Sequence, residues 1–325
     1  MTSNPAPTYG GQALVEGVLI RSGERWAVAL RTPAGEIHAY DGALRPAAGP
    51  WRLPFLRGLH ALGVQLRLGM RALTDSSTLA DTGQIQPMSV LAAIGLVAVS
   101  LIIGLFVFSA VPLLLTGREA SIEPTLTQRL SEGLIKGLLL AVYVVGVTRV
   151  GRYRRIFSYH GAEHMAIACA ESGQPLTPAN VSCFSPAHPR CGTGFLVILA
   201  VVDTLLLAAL PRLGPVADLA LRIGFVPVSA AIAYELLRWG SRGRGIGFAL
   251  NRFGLLTQRL TTAKPDAGQI EVAIAAVERC RVGTGAEPAN PSDSTMLPAG
   301  ALGVVASVPL SGLPAGDSSG HMGST

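Results

Sequence analysis

Two histidines and a glutamate fall within five residues of one another in the stretch YHGAEHMAIACAE, as His160, Glu163 and His164. On a helix, residues four apart project from the same face, so His160 and His164 can offer imidazole nitrogens to one cation. Glu163 stands one turn from His160 and beside His164, where a carboxylate can take a proton from a water polarised by that cation. The chain has six histidines in all, so a pair at ligand spacing carries more weight here than in a His-rich protein.

The order H-x-x-E-H matches the inverzincin motif, in which the glutamate is the general base. A second set of donors follows in CFSPAHPRC, a breaker-rich loop presenting Cys183, His188 and Cys191. Imidazole and thiolate are preferred zinc ligands, so zinc is the expected cofactor, bound by His160, His164, His188 and Cys191, with Cys191 favoured over Cys183. If all four bind, the ion is closed and structural; if three bind, a position stays open and Glu163 has a water to activate. Glu235 is a further carboxylate at the right depth, its bland alternative being an ion pair with Arg238. Cys169 and Cys280 read as buried small hydrophobes.

What positions these residues is a membrane-like chain. Of its 325 residues 49% are hydrophobic and only 14% charged, which argues against an ordinary soluble domain. Residues 88–117 carry no charge, and a helix needs roughly 20 apolar residues to cross the hydrocarbon core. Weaker runs follow at Leu134–Val150, Gly194–Leu210 and Pro215–Leu237, the last two holding Asp203, Asp218, Arg222 and Glu235. The expected fold class is therefore a mainly α membrane protein with about four transmembrane helices; the alternative is two spans plus buried soluble helices.

Arginines flank the first run on its N-terminal side, follow the second at Arg149, Arg152, Arg154 and Arg155, and follow the fourth at Arg238, Arg242 and Arg244. By the positive-inside rule both termini and the histidine loop are expected on the cytoplasmic side of a multi-pass plasma-membrane protein. The net charge of +6 suits anionic headgroups of the lipid bilayer as partner. No basic patch interleaved with aromatics points to nucleic acid, and the first residues do not read as a cleavable signal peptide. On the reducing side, four cysteines are free thiols or ligands rather than disulfides.

Outside the apolar runs, residues 1–50 hold three short strand patterns, Val18–Arg21, Ala27–Arg31 and Ile37–Tyr40, a small N-terminal β element. Residues 51–83 contain an amphipathic stretch, Pro54–Leu73, expected to lie at the membrane interface; His60 beside its stripe reads as a packed or solvated histidine. Residues 84–245 form the four-helix membrane domain with the metal-site loop, broken at its end by a hinge at Ser241–Gly247. Residues 246–282 hold a C-terminal helix over Pro265–Arg279, and residues 283–325 read as a disordered tail.

Five separated motifs together resemble one family: GGQALVEGVLIR at Gly10–Arg21, HGAEHMAIA at His160–Ala168, HPRCGTGF at His188–Phe195, AYELLR at Ala233–Arg238, and LTTAKPDAGQIEVAIAA at Leu260–Ala276. The chain is similar, from about Gly10 to Glu278, to the YqhQ-like family, domain-of-unknown-function family 1385. The resemblance implies a bacterial multispanning membrane protein and a metal-dependent enzyme, and points at His160, Glu163, His164, His188 and Cys191. It also draws Gln12, Glu16 and Arg21 into a substrate-binding set with Glu235, the glycines around them allowing close backbone approach. The expected function is a zinc-dependent hydrolase at the cytoplasmic face, acting on a peptide or a lipid-linked amide or ester. The alternative is a metal-stapled scaffold, assembly factor or solute carrier serving a membrane protein partner.

Overall fold

The computed structural model describes residues 8–85, 89–115, 126–210, 215–240, 254–282 and the pair 306–307. Its first element is a meander of four antiparallel strands, β1 (Tyr9–Leu14), β2 (Gly17–Ser22), β3 (Arg25–Arg31) and β4 (Ile37–Ala43). Two-residue turns join β1 to β2 and β2 to β3, and Gly23 and Gly35 take the positive φ that the second and third turns require. β1 was not expected from the sequence: its Gly-Gly opening and short polar run carry little strand propensity, and only pairing with β2 makes it a strand. A two-residue strand, β5 (Ala306–Ser307), pairs with β4 at the far edge, inside the region read as a disordered tail. The rest of that tail and the hinge at Ser241–Gly247 lie outside the described residues.

Both faces of the sheet are covered, which is why β2 and β3 read as continuous apolar runs rather than alternating ones. One face presents Tyr9, Val18, Ile20, Ala27, Ala29, Ile37 and Ala39 to helices α5 (Gly151–Glu171) and α10 (Ala267–Val282). The other presents Leu14, Leu19, Trp26, Val28, Leu30 and Tyr40 to α1 (Leu56–Thr82), through Leu68, Ala72 and Leu79. The expected amphipathic helix is present within residues 51–83. It runs nine residues past Leu73, its buried side docks on the sheet, and Phe55 and Leu66 are exposed.

The remaining helices are α2 (Val90–Leu105), continued through a π-helical turn at Phe106–Ala110 into α3 (Val111–Leu115), then α4 (Leu126–Arg149), the short α6 (Pro178–Ser182), α7 (Gly192–Ala208), α8 (Pro215–Gly240) and a helical stretch at 254–261, α9. Two helical segments, Leu130–Arg149 and Ala220–Gly240, are long and apolar enough to cross a membrane; Ile94–Phe108 and Gly192–Ala208 are apolar but shorter. The expectation of four spans is met in part. The two long segments are only 11% and 22% buried, whereas the core helix of a soluble domain is mostly covered.

Charged groups inside this bundle are paired. Lys136 Nζ lies 2.8 Å from Asp203 Oδ2, Ser229 donates to Asp203 Oδ1 at 3.2 Å, and Arg222 meets Glu132 at 2.6 Å. These pairs tie α4 to α7 and α8, the arrangement expected where an unpaired charge would be costly. Between bundle and sheet, Arg57 of α1 donates to Glu235 of α8 through Nε at 2.7 Å, and the Phe55 amide bonds the same carboxylate at 3.2 Å.

Candidate metal centre

α5 follows α4 after the single residue Val150 and packs over the face of the sheet alongside β1, which places its histidines near the sheet edge but not across it. Ion pairs clamp it at both ends. At the first, Arg155 and the Tyr159 hydroxyl both bond Glu16, the latter at 3.1 Å; at the second, Glu171 accepts the Tyr9 amide at 3.0 Å and the Arg190 guanidinium. Between the clamps, Glu163, His164, Ala166 and Met165 are buried.

His160, His164 and Cys191 converge, with one ligand atom from each lying within 4.8 Å of the others. The Nδ1 atom of His160 donates to the Thr261 carbonyl at 2.9 Å, and that of His164 to the Pro186 carbonyl at 2.6 Å. A carbonyl only accepts, so both rings carry their proton on Nδ1 and turn a lone pair on Nε2 inward, as metal-binding imidazoles do. His160 Nε2 stands 3.2 Å from Cys191 Sγ. Ligands around a tetrahedral zinc are roughly 3.3–3.8 Å apart, so the three atoms need little movement to share an ion. Cys191 caps α7, and the Thr193 amide donates to its sulfur at 3.4 Å, offsetting negative charge there. Burial pushes His164 below the ordinary histidine range, which keeps it neutral and able to ligate.

His188 borders the same space but is oriented differently. Its Nδ1 accepts the Arg190 amide at 3.4 Å, and Nε2 points to Glu171 Oε2 at 3.9 Å. Its backbone is held on both sides by buried Gln258, whose Oε1 accepts His188 N–H at 2.8 Å and whose Nε2 donates to His188 C=O at 2.9 Å. The tautomer is therefore the reverse of the two converging histidines. Cys183, exposed just past the end of α6, and Glu235, tied to Arg57, stand apart from the cluster.

Glu163 faces the same cavity of about 30 Å³, lined also by Tyr9, Gly10, Gly11 and Ile167, enough for an ion and a water. Its side chain packs on Gly11, where a Cβ would stand 2.7 Å from Oε1, so β1 needs glycine there. Oε2 is buried with no hydrogen-bond partner. Burial pushes the carboxyl up to about 7, moderated by His160. An orphaned carboxylate oxygen beside three convergent donors fits a site that takes a cation and water.

The profile of a protein family of unknown function, DUF1385, matches residues 53–282. The chain belongs to the DUF1385 family. YqhQ of Bacillus subtilis (strain 168), described as an uncharacterized protein, is 30% identical over 289 residues, covering 82% of this chain and 90% of YqhQ. No solved structure matches. The DUF1385 segment holds all three converging donors, Glu163, and the supporting residues Thr261, Pro186, Gln258 and Glu171.

The four residues read as substrate-binding lie outside this DUF1385 cavity. Gln12 points to the other face of the sheet, 3.5 Å from Gln65 Nε2; Glu16 clamps α5; Arg21 Nε bonds the Gly23 carbonyl at 3.1 Å; Glu235 holds α1. Sequence reasoning missed Glu171, Gln258 and Thr261. Glu171 closes the very stretch that carries the histidines, and Thr261 sits in the LTTAKPD motif, but a backbone carbonyl leaves no residue-type signal.

Proposed function

We propose that the protein is a zinc-dependent hydrolase working at the cytoplasmic face of the membrane. The observation that carries this reading is the convergence of three donors, with His188 turned to Glu171, in a cavity shared with the orphaned Glu163 oxygen; a tetrahedral ion held by these three would keep one position for water. Zinc bound there supplies a Lewis acid that brings water into its acidic range near neutral pH. Glu163, facing the same cavity with an unpartnered carboxylate oxygen, is placed to accept a proton from water and return it to a leaving group. The Thr261 and Pro186 carbonyls hold both imidazoles in register, and the Glu171 clamp fixes the cavity wall.

Membrane placement rests on apolar exposure. Leu91, Ile94, Ile102 and Phe106 stand exposed along α2 and its π turn, Leu134, Leu138 and Val142 along α4, and Leu205 on α7. α2, its π turn and α3 together exceed the roughly 30 Å of hydrocarbon, so four spans are the reading that covers this surface. Arg149, Arg154 and Arg155 at the α4–α5 junction support a cytoplasmic metal centre, and with four spans both termini share that side.

The test uses the full chain in detergent. Wild-type protein is expected to bind about one zinc per chain and to hydrolyse 4-nitrophenyl acetate; Glu163→Gln keeps the zinc and loses about 10²–10⁴-fold in rate. Wild-type hydrolysis by a zinc-replete Glu163→Gln protein would sink the hydrolase reading. A zinc absorption spectrum with four protein ligands and no oxygen would favour a metal-stapled scaffold instead.

A further inference from the structure

Among the described residues, no further strand pairs with the edge of the sheet that meets the metal centre. β1 is bonded to β2 alone, and their register makes Leu14 and Gly17 the pair that closes a two-residue turn. In such a hairpin the closing pair is hydrogen-bonded and bonded pairs alternate from it. Gln12 and Gly10 therefore turn their main-chain groups to β2, whereas Tyr9, Gly11 and Ala13 turn theirs outward. The neighbouring ladder agrees: the Glu16 carbonyl accepts Arg31 N–H at 2.7 Å, so even-numbered residues of β2 serve β3 and odd-numbered ones serve β1.

Of the three outward positions, Tyr9 is closed by Glu171, which takes its N–H at 3.0 Å. Among the described residues nothing bonds the outward groups of Gly11 and Ala13. Gly10 and Gly11 are exposed and line the cavity that holds His160, Glu163, His164 and Cys191. Gly11 has no side chain to block approach, and the Glu163 carboxyl lies against it.

We propose that this edge is the substrate rail of the site and that the substrate is a polypeptide taken as an extended strand, a substrate class that rests on the hydrolase reading above. Donors and acceptors spaced two residues apart along an edge are complemented by another main chain, and an acyl chain or a lone ester offers no such series. A chain added to β1 at Gly11 and Ala13 passes the mouth of the cavity beside Glu163. Hydrolysis there breaks one amide C–N bond. Water gives its hydroxyl to the acyl carbon and its remaining proton, by way of Glu163, to the amine that leaves.

The experiment uses the full chain in detergent and unfolded, reduced casein as the mixed-sequence probe, with 4-nitrophenyl acetate alongside. Zinc-loaded wild type is expected to cleave casein, and dye-labelled casein decapeptides are expected to bind Glu163→Gln protein by fluorescence anisotropy. Backbone N-methylation of a bound decapeptide should weaken binding about tenfold at every second amide and leave the intervening ones unchanged. Ala13→Pro, which removes an outward N–H and spares the β1–β2 ladder, should weaken binding by a similar factor while zinc content stays at the wild-type level. Methylation effects without a two-residue period, or unchanged binding by zinc-replete Ala13→Pro, overturn the proposal. Ester hydrolysis with casein neither bound nor cleaved overturns it and leaves the hydrolase standing; loss of both reactions in zinc-loaded protein removes both readings.

Discussion

At the scale of residues, ligand identity is decided by which ring nitrogen carries the proton. Thr261 and Pro186 set it on Nδ1 in His160 and His164, and the Arg190 amide reverses it in His188. His164→Ala should therefore strip most of the zinc, because it removes a ligand, whereas His188→Ala should keep about one ion per chain with affinity down about 10–100-fold through its effect on the surrounding shell. Metal analysis after dialysis against a chelator series checks both. Equal loss in the two variants would place His188 among the ligands. The sequence could not separate these histidines, since residue type and spacing say nothing of the carbonyl or amide that each ring meets.

At the scale of elements, α1 shows how a helix chooses its partner. Its buried side includes Asp75, which accepts a hydrogen bond from Tyr40 at 2.9 Å with Arg71 nearby. Burial raises the Asp75 pKa, with the Tyr40 hydrogen bond and Arg71 opposing. A carboxyl with a raised folded pKa holds more protons folded than unfolded, so stability falls as pH rises from the ordinary aspartate value to the folded one and is flat above it. Asp75→Asn should remove that fall, leaving the variant relatively more stable than wild type above the window; melting temperatures from pH 3.5 upward measure it. A wild-type and variant difference that does not change with pH would show that Asp75 carries no such shift. The same scale explains Gly161. A Cβ there would stand 2.2 Å from the Ala263 carbonyl, so this glycine lets the LTTAKPD segment approach closely enough for Thr261 to hold His160.

At the scale of the whole molecule, two bodies of different chemistry are stapled together: a sheet covered on both faces, and a bundle whose apolar side chains face outward. Lys136 and Asp203 join helices within the bundle. Removing one partner leaves a buried charge, at a cost of about 3–5 kcal/mol, whereas replacing both with apolar residues of similar size is near neutral. Lys136→Ala should lower the melting temperature in detergent markedly, and Lys136→Met with Asp203→Leu should regain most of it; a double variant no better than the single one would show that the pair does not act as a unit. Much of this organisation is written in the sequence. The apolar runs, the amphipathic stretch, β2 to β4, the Pro265–Arg279 helix and the His160–His164 pairing follow from periodicity and propensity, which act over a few residues. The sheet covered by α5 and α10 did not, because its core joins segments more than 250 residues apart, and neither did β1, which exists through its partner strand. The donor pattern was thus fixed locally by side-chain spacing. Which donors meet, which ring nitrogens face inward and which sheet edge meets the metal centre were decided by long-range packing, since each depends on backbone groups that only the tertiary fold brings near.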